Sequence, residues 1–388
     1  MRTGQPIRCA IYRGGTSRGL FFLENDLPYP QPDRTRMLID AMGAGANPQL
    51  DGLGGGTSTT SKVMIVGPSR DPRANVTMHF AQVGVEAVVV DWKGTCGNMT
   101  AGVAAFAVDS GLVLAQDGMM VIDIYSVNSD KYVRAHLPVK DGRAVSEGGY
   151  TMPGVRGTGA RIDLEYFDPA GAASGKLLPT GSPTDRIRLA DGRSFTVSIV
   201  DAGNVVVFCR AAEIGLRGTE LPPGLGANRA AMDTLEAIRS VVAKDLGLVS
   251  AAEDATRLSP GLPKVGFVSA PQDCKLSGGG EMKASEADVV SRLLSMQTPH
   301  RSYMGAGGIC TAVAAMLDGT VVAEACRHIT GGDVRIGHPQ GIMDVQVKAK
   351  KVDGALEVES ATLARTARRI MDGQIYLSHM VAETGAGR

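Results

Sequence analysis

Apolar residues recur at every second position along much of the first half of the chain. Ile7, Cys9 and Ile11 follow this pattern, and residues 76–80 repeat it. A two-residue period is typical of a strand with one buried face. Further strands in this half are predicted near residues 63–67, 84–91, 119–126, 132–138 and 160–166.

Helical spacing of apolar residues predicts three amphipathic helices. The first has Asp33 as its cap, and the second covers residues 235–246 and ends at Gly247. The third is expected to begin at Ser285 and to bury Val289. Strands in the second half are predicted near residues 187–200, 204–210, 264–270 and 342–349.

Two segments echo each other and predict two similar domains. Residues 100–113 and 311–321 are both rich in alanine and valine, with no charge before Asp109 or Asp318. A helix that is apolar on every side is buried on every side. Each segment is therefore expected to form the central helix of its own domain.

A stretch rich in Gly, Ser and Pro separates the two halves. Residues 168–186 have this composition and are interpreted as a linker. The predicted domains are residues 1–185 and 186–372. The sequence is also compatible with packing of residues 373–388 on the first domain. A length of 388 residues suits two domains.

Composition and charge exclude several functions. Forty Lys and Arg residues balance forty Asp and Glu residues, and only 4% of residues are aromatic, which argues against nucleic-acid binding. No apolar stretch is long enough to cross a membrane. The six scattered cysteines form no CxxC pair and indicate reduced thiols in a cytoplasmic protein. No paired-histidine spacing predicts a metal site.

The first chemical candidate is Cys96, which stands between a strand-rich run and the first apolar helix. A helix N-terminus favours an anion and makes a thiolate more available. Gly97 lets a ligand approach the backbone, and Asn98 is expected to cap the helix. The alternative is a buried structural cysteine.

The second candidate is Lys62, at the end of a loop rich in glycine and hydroxyl groups. Residues 13–19 and 51–62 both have this composition, and neither matches a nucleotide P-loop. Their amides and hydroxyls suit carboxylates. Lys62 lies between Ser61 and the apolar run 63–66, and desolvation there would lower its pKa and make it a base. The alternative is a lysine that extends to solvent.

Five motifs together resemble the PrpF family, which includes methylaconitate isomerase, methylitaconate isomerase and 4-oxalomesaconate tautomerase. The motifs are Arg13-Gly-Gly-Thr-Ser-x-Gly, Asp51-Gly-x-Gly-Gly with Thr60-Ser61-Lys62, Cys96-Gly-Asn98, Cys310-Thr-Ala and Gly337-His-Pro-x-Gly. They occur in the family's order, and the resemblance runs from residue 7 to about residue 380.

The resemblance implies an α/β (α+β) fold of the diaminopimelate-epimerase type. This fold has two similar domains, each a curved sheet around a central buried helix, with the active site in the cleft between them. The implied activity is a cofactor-independent allylic proton shift in a small unsaturated di- or tricarboxylate. No metal, nucleic acid or membrane is expected as a partner, and a homodimer is compatible with the sequence.

The resemblance also implies the site residues. Lys62 and Cys96 match the family's reactive pair. The implied substrate contacts are Thr16, Ser17, Arg18, Ser61, Gly97, Asn98, Met99, His300, Gly308, Ile309, Cys310 and His338.

Two departures from related sequences bear on the activity. Arg18 stands where the N-terminal loop usually has lysine, so carboxylate geometry is expected to differ. The second catalytic cysteine of true epimerases is replaced, at the position assigned to it, by Gly308. An isomerase is therefore favoured over an amino-acid epimerase or racemase. A third alternative is an accessory protein of an aconitase-like dehydratase.

Overall fold

The computed structural model describes residues 6–27, 31–352 and 354–378. The strands are β1 (Ile7–Gly14), β2 (Ser17–Leu23), β3 (Lys62–Pro68), β4 (Val76–Val83), β5 (Val90–Asp91), β6 (Gly118–Ser126), β7 (Lys131–Lys140), β8 (Arg143–Ala144), β9 (Tyr150–Thr151), β10 (Thr158–Gly159), β11 (Ile162–Phe167), β12 (Asp185–Arg188), β13 (Ser194–Ala202), β14 (Asn204–Arg210), β15 (Lys264–Ser269), β16 (Cys274–Lys275), β17 (Glu281–Met282), β18 (Val289–Ser295), β19 (Thr298–Pro299), β20 (Asp333–His338), β21 (Gly341–Val352), β22 (Ala355–Arg365) and β23 (Ala367–Ile375). The helices are α1 (Gln31–Met42), α2 (Gly97–Asp109), α3 (Pro222–Ala227), α4 (Arg229–Asp245), α5 (Ala255–Leu258), α6 (Gly305–Met316) and α7 (Val321–Ala325).

The chain divides into two compact units. The first contains the described residues up to Thr151, Gly157–Asp163 and the described residues from Arg365 onward. The second contains Met152–Arg156 and Leu164–Ala364. The chain thus leaves the first unit earlier than the boundary at residue 185 inferred from the sequence. It returns at Arg365, because β23 pairs with β1 along its whole length.

The two units have the same strand topology. In the first unit the hydrogen-bonded order is β23, β1, β2, β3, β4, β6, β7, and in the second it is β12, β13, β14, β15, β18, β20, β21. Both series pair successively as antiparallel, antiparallel, parallel, antiparallel, parallel and antiparallel. Helices α1 and α4 follow corresponding strands, as do α2 and α6. The predicted repeat of two similar α/β units is confirmed.

A fully apolar helix forms the centre of each unit, as the alanine-rich echo predicts. Every residue of α2 from Gly97 to Val108 is buried, and so is every residue of α6 from Gly305 to Ala315. Strands β1, β2 and β23 contact α2, whereas β13, β14, β20 and β21 contact α6. The apolar surface on all sides of each helix is therefore covered by its own sheet.

Two amphipathic helices form as expected, with one correction. Leu38 and Met42 of α1 are buried, and Gly247 follows α4 with the positive φ of 70° that a terminating glycine allows. However, α1 begins at Gln31, so Asp33 lies in its first turn and is not its cap. An acidic residue in the first turn still interacts favourably with the helix dipole.

The third predicted helix is wrong. Residues 284–286 form only a short 3₁₀ turn, and the chain then enters strand β18. Every residue of β18 is buried, and β15 and β20 pair with its two edges. A strand covered on both faces has no alternating pattern, and its apolar pairs imitate helical spacing.

Two predicted strands are also corrected. Within residues 84–91 only Val90–Asp91 is a strand, because the amide of Gly84 bonds to Val89 O and closes a turn. The strand predicted over residues 187–200 is two strands, β12 and β13, joined by a turn at Gly192 with a φ of 89°. The predicted linker, residues 168–186, is mostly irregular but belongs to the second unit.

Candidate active site

Glycines of the β1–β2 hairpin allow two other elements to approach it closely. A Cβ atom at Gly14 would lie 2.5 Å from the backbone oxygen of Asn98, near the start of α2. A Cβ atom at Gly19 would lie 2.1 Å from the backbone oxygen of Lys62, the first residue of β3. Both distances are shorter than real Cβ contacts. The glycine motif therefore brings α2 and β3 against the same hairpin.

Cys96 is the N-cap of α2 and is half-buried. Its backbone is extended, and its carbonyl accepts the Thr100 amide at 3.1 Å to begin the helix. Cys96 therefore lies at the end of α2 where the first backbone amides lack intrahelical partners. The predicted location of Cys96 is therefore what the structure shows.

Asn98 does not cap the helix, contrary to the sequence prediction. It lies inside the first turn, and its side chain joins two other elements of the unit. Its Nδ2 donates to Thr16 Oγ1 at 3.0 Å, and its Oδ1 accepts a hydrogen bond from Arg365 Nε at 2.9 Å. Asn98 thereby fixes the start of α2 between the β1–β2 hairpin and Arg365.

Lys62 is buried, with 6% of its surface exposed. Its side chain interacts electrostatically with Cys96, and its Nζ donates a hydrogen bond to Gln82 Oε1. Burial lowers the pKa of Lys62, while the charge and hydrogen bond of Cys96 act in the opposite direction. A lysine that extends to solvent is thus excluded, and the two sequence candidates interact with each other.

The remaining predicted contacts in the first unit lie close to this pair in sequence or in space. Ser17 Oγ is buried and makes no hydrogen bond to the described residues. The amide of Arg18 donates to Thr59 O, and a Cβ atom at Gly55 would lie 2.7 Å from Arg18 Nη2. The guanidinium of Arg18 therefore packs over the glycine-rich loop.

The other three predicted contacts in the first unit are sequence neighbours of Cys96 or Lys62. Gly97 is the first residue of α2, and Met99 is buried in its first turn. Ser61 is buried, and its Oγ accepts a hydrogen bond from Gln49 Nε2 at 2.9 Å.

In the second unit, the predicted histidines are buried and oriented by backbone amides. His300 Nδ1 accepts the amide of Ser302, and His338 Nδ1 accepts the amide of Gln340, both at 3.2 Å. The ring of His338 also stacks on Tyr303, with ring centroids 5.9 Å apart. Each ring is therefore held through its Nδ1 atom by a backbone amide two residues further along the chain.

Two predicted contacts on α6 lie in the core of the second unit. Ile309 and Cys310 are fully buried. The thiol of Cys310 donates to Val200 O at 3.2 Å, and burial raises its pKa. The thiol of Cys310 therefore has no exposed surface for a ligand.

The position that corresponds to Cys96 depends on how the two helices are matched. Cys96 lies four residues before Thr100, and the residue four positions before Thr311 is Gly307, one residue ahead of Gly308. A Cβ atom at Gly307 would lie 2.5 Å from a Leu293 methyl, and one at Gly308 would lie 2.4 Å from a methionine sulfur. Neither position provides a second thiol.

Three residues of the site lack any local sequence signal. Gln82, Gln49 and Arg365 hold Lys62, Ser61 and Asn98, respectively. Only the strand register, which places Gln82 opposite Lys62, reveals the first of them.

The described residues contain no group of three or more His, Cys, Asp or Glu side chains that could hold a metal ion. None of the helices formed by these residues combines the length and apolar character that a membrane crossing requires.

Comparisons with known proteins extend over nearly the whole chain. The family model described as PrpF protein matches residues 5–378. The 3-methylitaconate isomerase of Eubacterium barkeri is 40% identical over 373 residues, which cover 96% of this chain and 97% of the relative. The 2-methyl-aconitate isomerase of Shewanella oneidensis is 34% identical, covering 95% and 96%. The 4-oxalomesaconate tautomerase of Pseudomonas putida is 33% identical, covering 96% of each chain.

Solved structures have the same fold. A crystal structure of methylitaconate-delta-isomerase superposes with a TM-score of 0.78 at 37% identity, covering 100% of both chains. A hydroxyproline epimerase from Agrobacterium vitis superposes with a TM-score of 0.57 at 12% identity, covering 97% of this chain and 94% of the epimerase. The second likeness concerns the fold alone. Together they confirm the predicted epimerase-like α/β fold.

Proposed function

Because this chain belongs to the PrpF family, we propose that it moves a carbon–carbon double bond within a small unsaturated di- or tricarboxylate. The relatives named above are isomerases or tautomerases and align with nearly the whole chain, so this chain is an isomerase. The substrate class and the catalytic roles of individual residues are the proposal.

The reaction requires one proton to leave and another to arrive at the far end of an allylic system. Removal of the first proton gives a delocalised dienolate, whose charge accumulates on the carboxylate oxygens. We assign the two proton transfers to Lys62 and Cys96. The hydroxyls of Thr16 and Ser17 and the guanidinium of Arg18 supply donors for a carboxylate.

The single observation that carries the proposal is that the buried side chain of Lys62 interacts with Cys96. If one group removes a proton and the other delivers one, their protonation states are exchanged after each turnover. A proton that passes from one group to the other restores both groups without help from solvent. Burial lowers the pKa of Lys62 toward the working pH, which is the condition for efficient proton transfer.

The proposal is tested by a substrate screen with the purified protein. Methylitaconate, methylaconitate and oxalomesaconate are incubated with it, and double-bond migration is followed by ultraviolet absorbance. Proton NMR in deuterated buffer then locates the exchanged hydrogen. We expect deuterium at an allylic carbon of at least one acid. Deuterium at Cα of an amino acid, with no change in any unsaturated acid, would overturn the proposal in favour of a racemase.

The accessory-protein alternative predicts a different outcome in cells. A partner surface does not require a reactive thiol beside a buried lysine. A strain that carries the chain with Cys96→Ser and Lys62→Met should therefore lose the biological effect. Full retention of that effect would favour the accessory role.

We further propose a cytoplasmic location and a homodimer. All six cysteines are free thiols, which is consistent with a reducing compartment. Cell fractionation tests the location, and light scattering coupled to gel filtration tests the assembly. A periplasmic protein or a monomer at micromolar concentration would contradict the respective statement.

A further inference from the structure

We infer that Gln82 is a positioning residue, whose neutral amide holds Lys62 Nζ against Cys96 and adds no negative charge beside the lysine. The inference rests on the proposed function of Lys62 and Cys96. It assigns a role to a residue that neither the motifs nor the relatives' names identify.

The strand register places Gln82 where it can act on Lys62. The two residues are direct partners in the antiparallel pairing of β3 and β4. Side chains at such a position project from the same face, with Cβ atoms about 5 Å apart. Both side chains are buried, and the Oε1 atom of Gln82 accepts a hydrogen bond from Lys62 Nζ.

The orientation of the Gln82 amide is fixed by its other contacts. Its Nε2 donates to Ser61 O at 2.8 Å and to Ser58 O at 3.1 Å. Backbone carbonyls only accept hydrogen bonds, so the amide nitrogen must face them and the amide oxygen must face Lys62. Rotation of the amide by 180° would break all of these bonds.

The loop that carries the two carbonyls is itself held by a second glutamine. Gln49 Nε2 donates to Ser61 Oγ at 2.9 Å, and Gln49 Oε1 accepts the amide of Gly56 at 2.9 Å. Gln49 is buried and has a φ of 62°, a left-handed conformation that costs energy unless the surroundings maintain it. The loop before Lys62 is thus built to present carbonyls to Gln82.

The chemical reason for an amide at this position is its lack of charge. A neutral oxygen accepts a hydrogen bond from Lys62 in both the ammonium and the amine form, so it aims Nζ throughout a proton-transfer cycle. A carboxylate at the same place would stabilise the ammonium form and oppose the effect of burial. Glutamine therefore orients Lys62 Nζ without adding the negative charge that would stabilise its ammonium form.

The experiment compares Gln82→Glu and Gln82→Met by direct titration of Lys62. Lysine labelled with ¹³C at Cε is followed by NMR, and the Lys62 signal is assigned by its absence in Lys62→Met. We expect the pKa of Lys62 to rise by about 1–3 pH units in Gln82→Glu. It should fall in Gln82→Met, because the ammonium loses an acceptor. The exposed Gln374→Glu serves as the matched control and should leave the titration unchanged.

Turnover provides the second measurement. In Gln82→Met we expect kcat to fall about 10²-fold, as for a misaimed catalytic group, with KM nearly unchanged. In Gln82→Glu the limb of the pH–rate profile that depends on Lys62 should move to higher pH. Thermal unfolding reports whether each variant is folded at the assay temperature.

The outcomes separate the inference from the function on which it rests. Shifts of the Lys62 titration in opposite directions support the positioning role. No shift in either variant, or equal shifts in the same direction, would overturn it. Full isomerase activity of Lys62→Met would instead overturn the proposed catalytic role of Lys62, whatever Gln82 does to its titration.

Discussion

Replacing Gly19 by alanine should damage the site without changing any group that takes part in proton transfer. The added Cβ atom would lie 2.1 Å from Lys62 O and 2.7 Å from the carbonyl carbon of the same residue. Contacts of Cβ atoms below 3.0 Å essentially never occur. The backbone at Lys62 must therefore retreat by about 0.9 Å, the difference between 3.0 and 2.1 Å. Because these atoms are backbone atoms of paired strands, no side-chain rotation relieves the contact.

Both stability and turnover should respond to this displacement. Forcing extra volume into a packed site typically costs about 1–3 kcal/mol. A displacement near 1 Å of a catalytic group can cost about 10²-fold in rate. We therefore expect Gly19→Ala to lower the thermal unfolding midpoint and to reduce kcat about 10²-fold. The measurements are thermal unfolding by circular dichroism and the initial rate at saturating substrate.

A matched glycine substitution controls for the loss of glycine itself. Gly149 has no atom within 4 Å of its ideal Cβ position and no positive φ. Gly149→Ala should therefore retain wild-type stability and turnover. The reasoning would be refuted if Gly19→Ala kept turnover within twofold of the wild-type value, because Lys62 would then tolerate the displacement.

Three further predictions concern the same groups. Burial lowers the pKa of Lys62 in the folded protein below its ordinary value of 10.5. Between the folded-state pKa and 10.5, Lys62 is more protonated in the unfolded chain than in the folded chain, so stability rises with pH. Denaturant unfolding should show wild-type protein gaining stability relative to Lys62→Met as pH rises toward 10.5, and parallel pH profiles would contradict this. Asn98→Ala removes the bonds to Thr16 and Arg365 and should reduce kcat at least tenfold and destabilise by about 1–3 kcal/mol, as steady-state kinetics and unfolding will show. Cys310→Ser should keep KM within twofold, because the thiol is buried and a hydroxyl can also donate to the carbonyl it contacts; a large rise in KM would show that this thiol contacts substrate.

The sequence predicts those elements of the fold whose burial is visible in their own residue pattern. An alanine-rich segment without charge can only be a buried helix, and α2 and α6 are buried as expected. The half-buried strands β1 and β4 reveal themselves by their alternation. Strand β18 does not, because pairing on both edges and burial of both faces remove the alternating pattern.

The candidate site also contains residues that the local sequence reveals and residues that it does not. Cys96 at a helix start and Lys62 before an apolar run are local features, and both lie where the sequence places them. The role of Asn98 is not predictable locally, because its partner Arg365 lies 267 residues away in the chain. Gln82 is likewise invisible until the register of β3 and β4 is known.

The central claim is that Lys62 and Cys96 divide the proton transfers of an allylic isomerisation. Proton NMR in deuterated buffer tests it, with wild-type protein, Lys62→Met and Cys96→Ser acting on the acid identified by the screen. Lys350→Met and Cys326→Ser are the matched controls, since Lys350 pairs only with exposed glutamates in the described structure and Cys326 lies in the second unit. We predict that each site variant isomerises about 10²–10⁴-fold more slowly, that both controls keep wild-type rates, and that one site variant still exchanges substrate hydrogen with solvent. Near wild-type isomerisation by both site variants would contradict the claim.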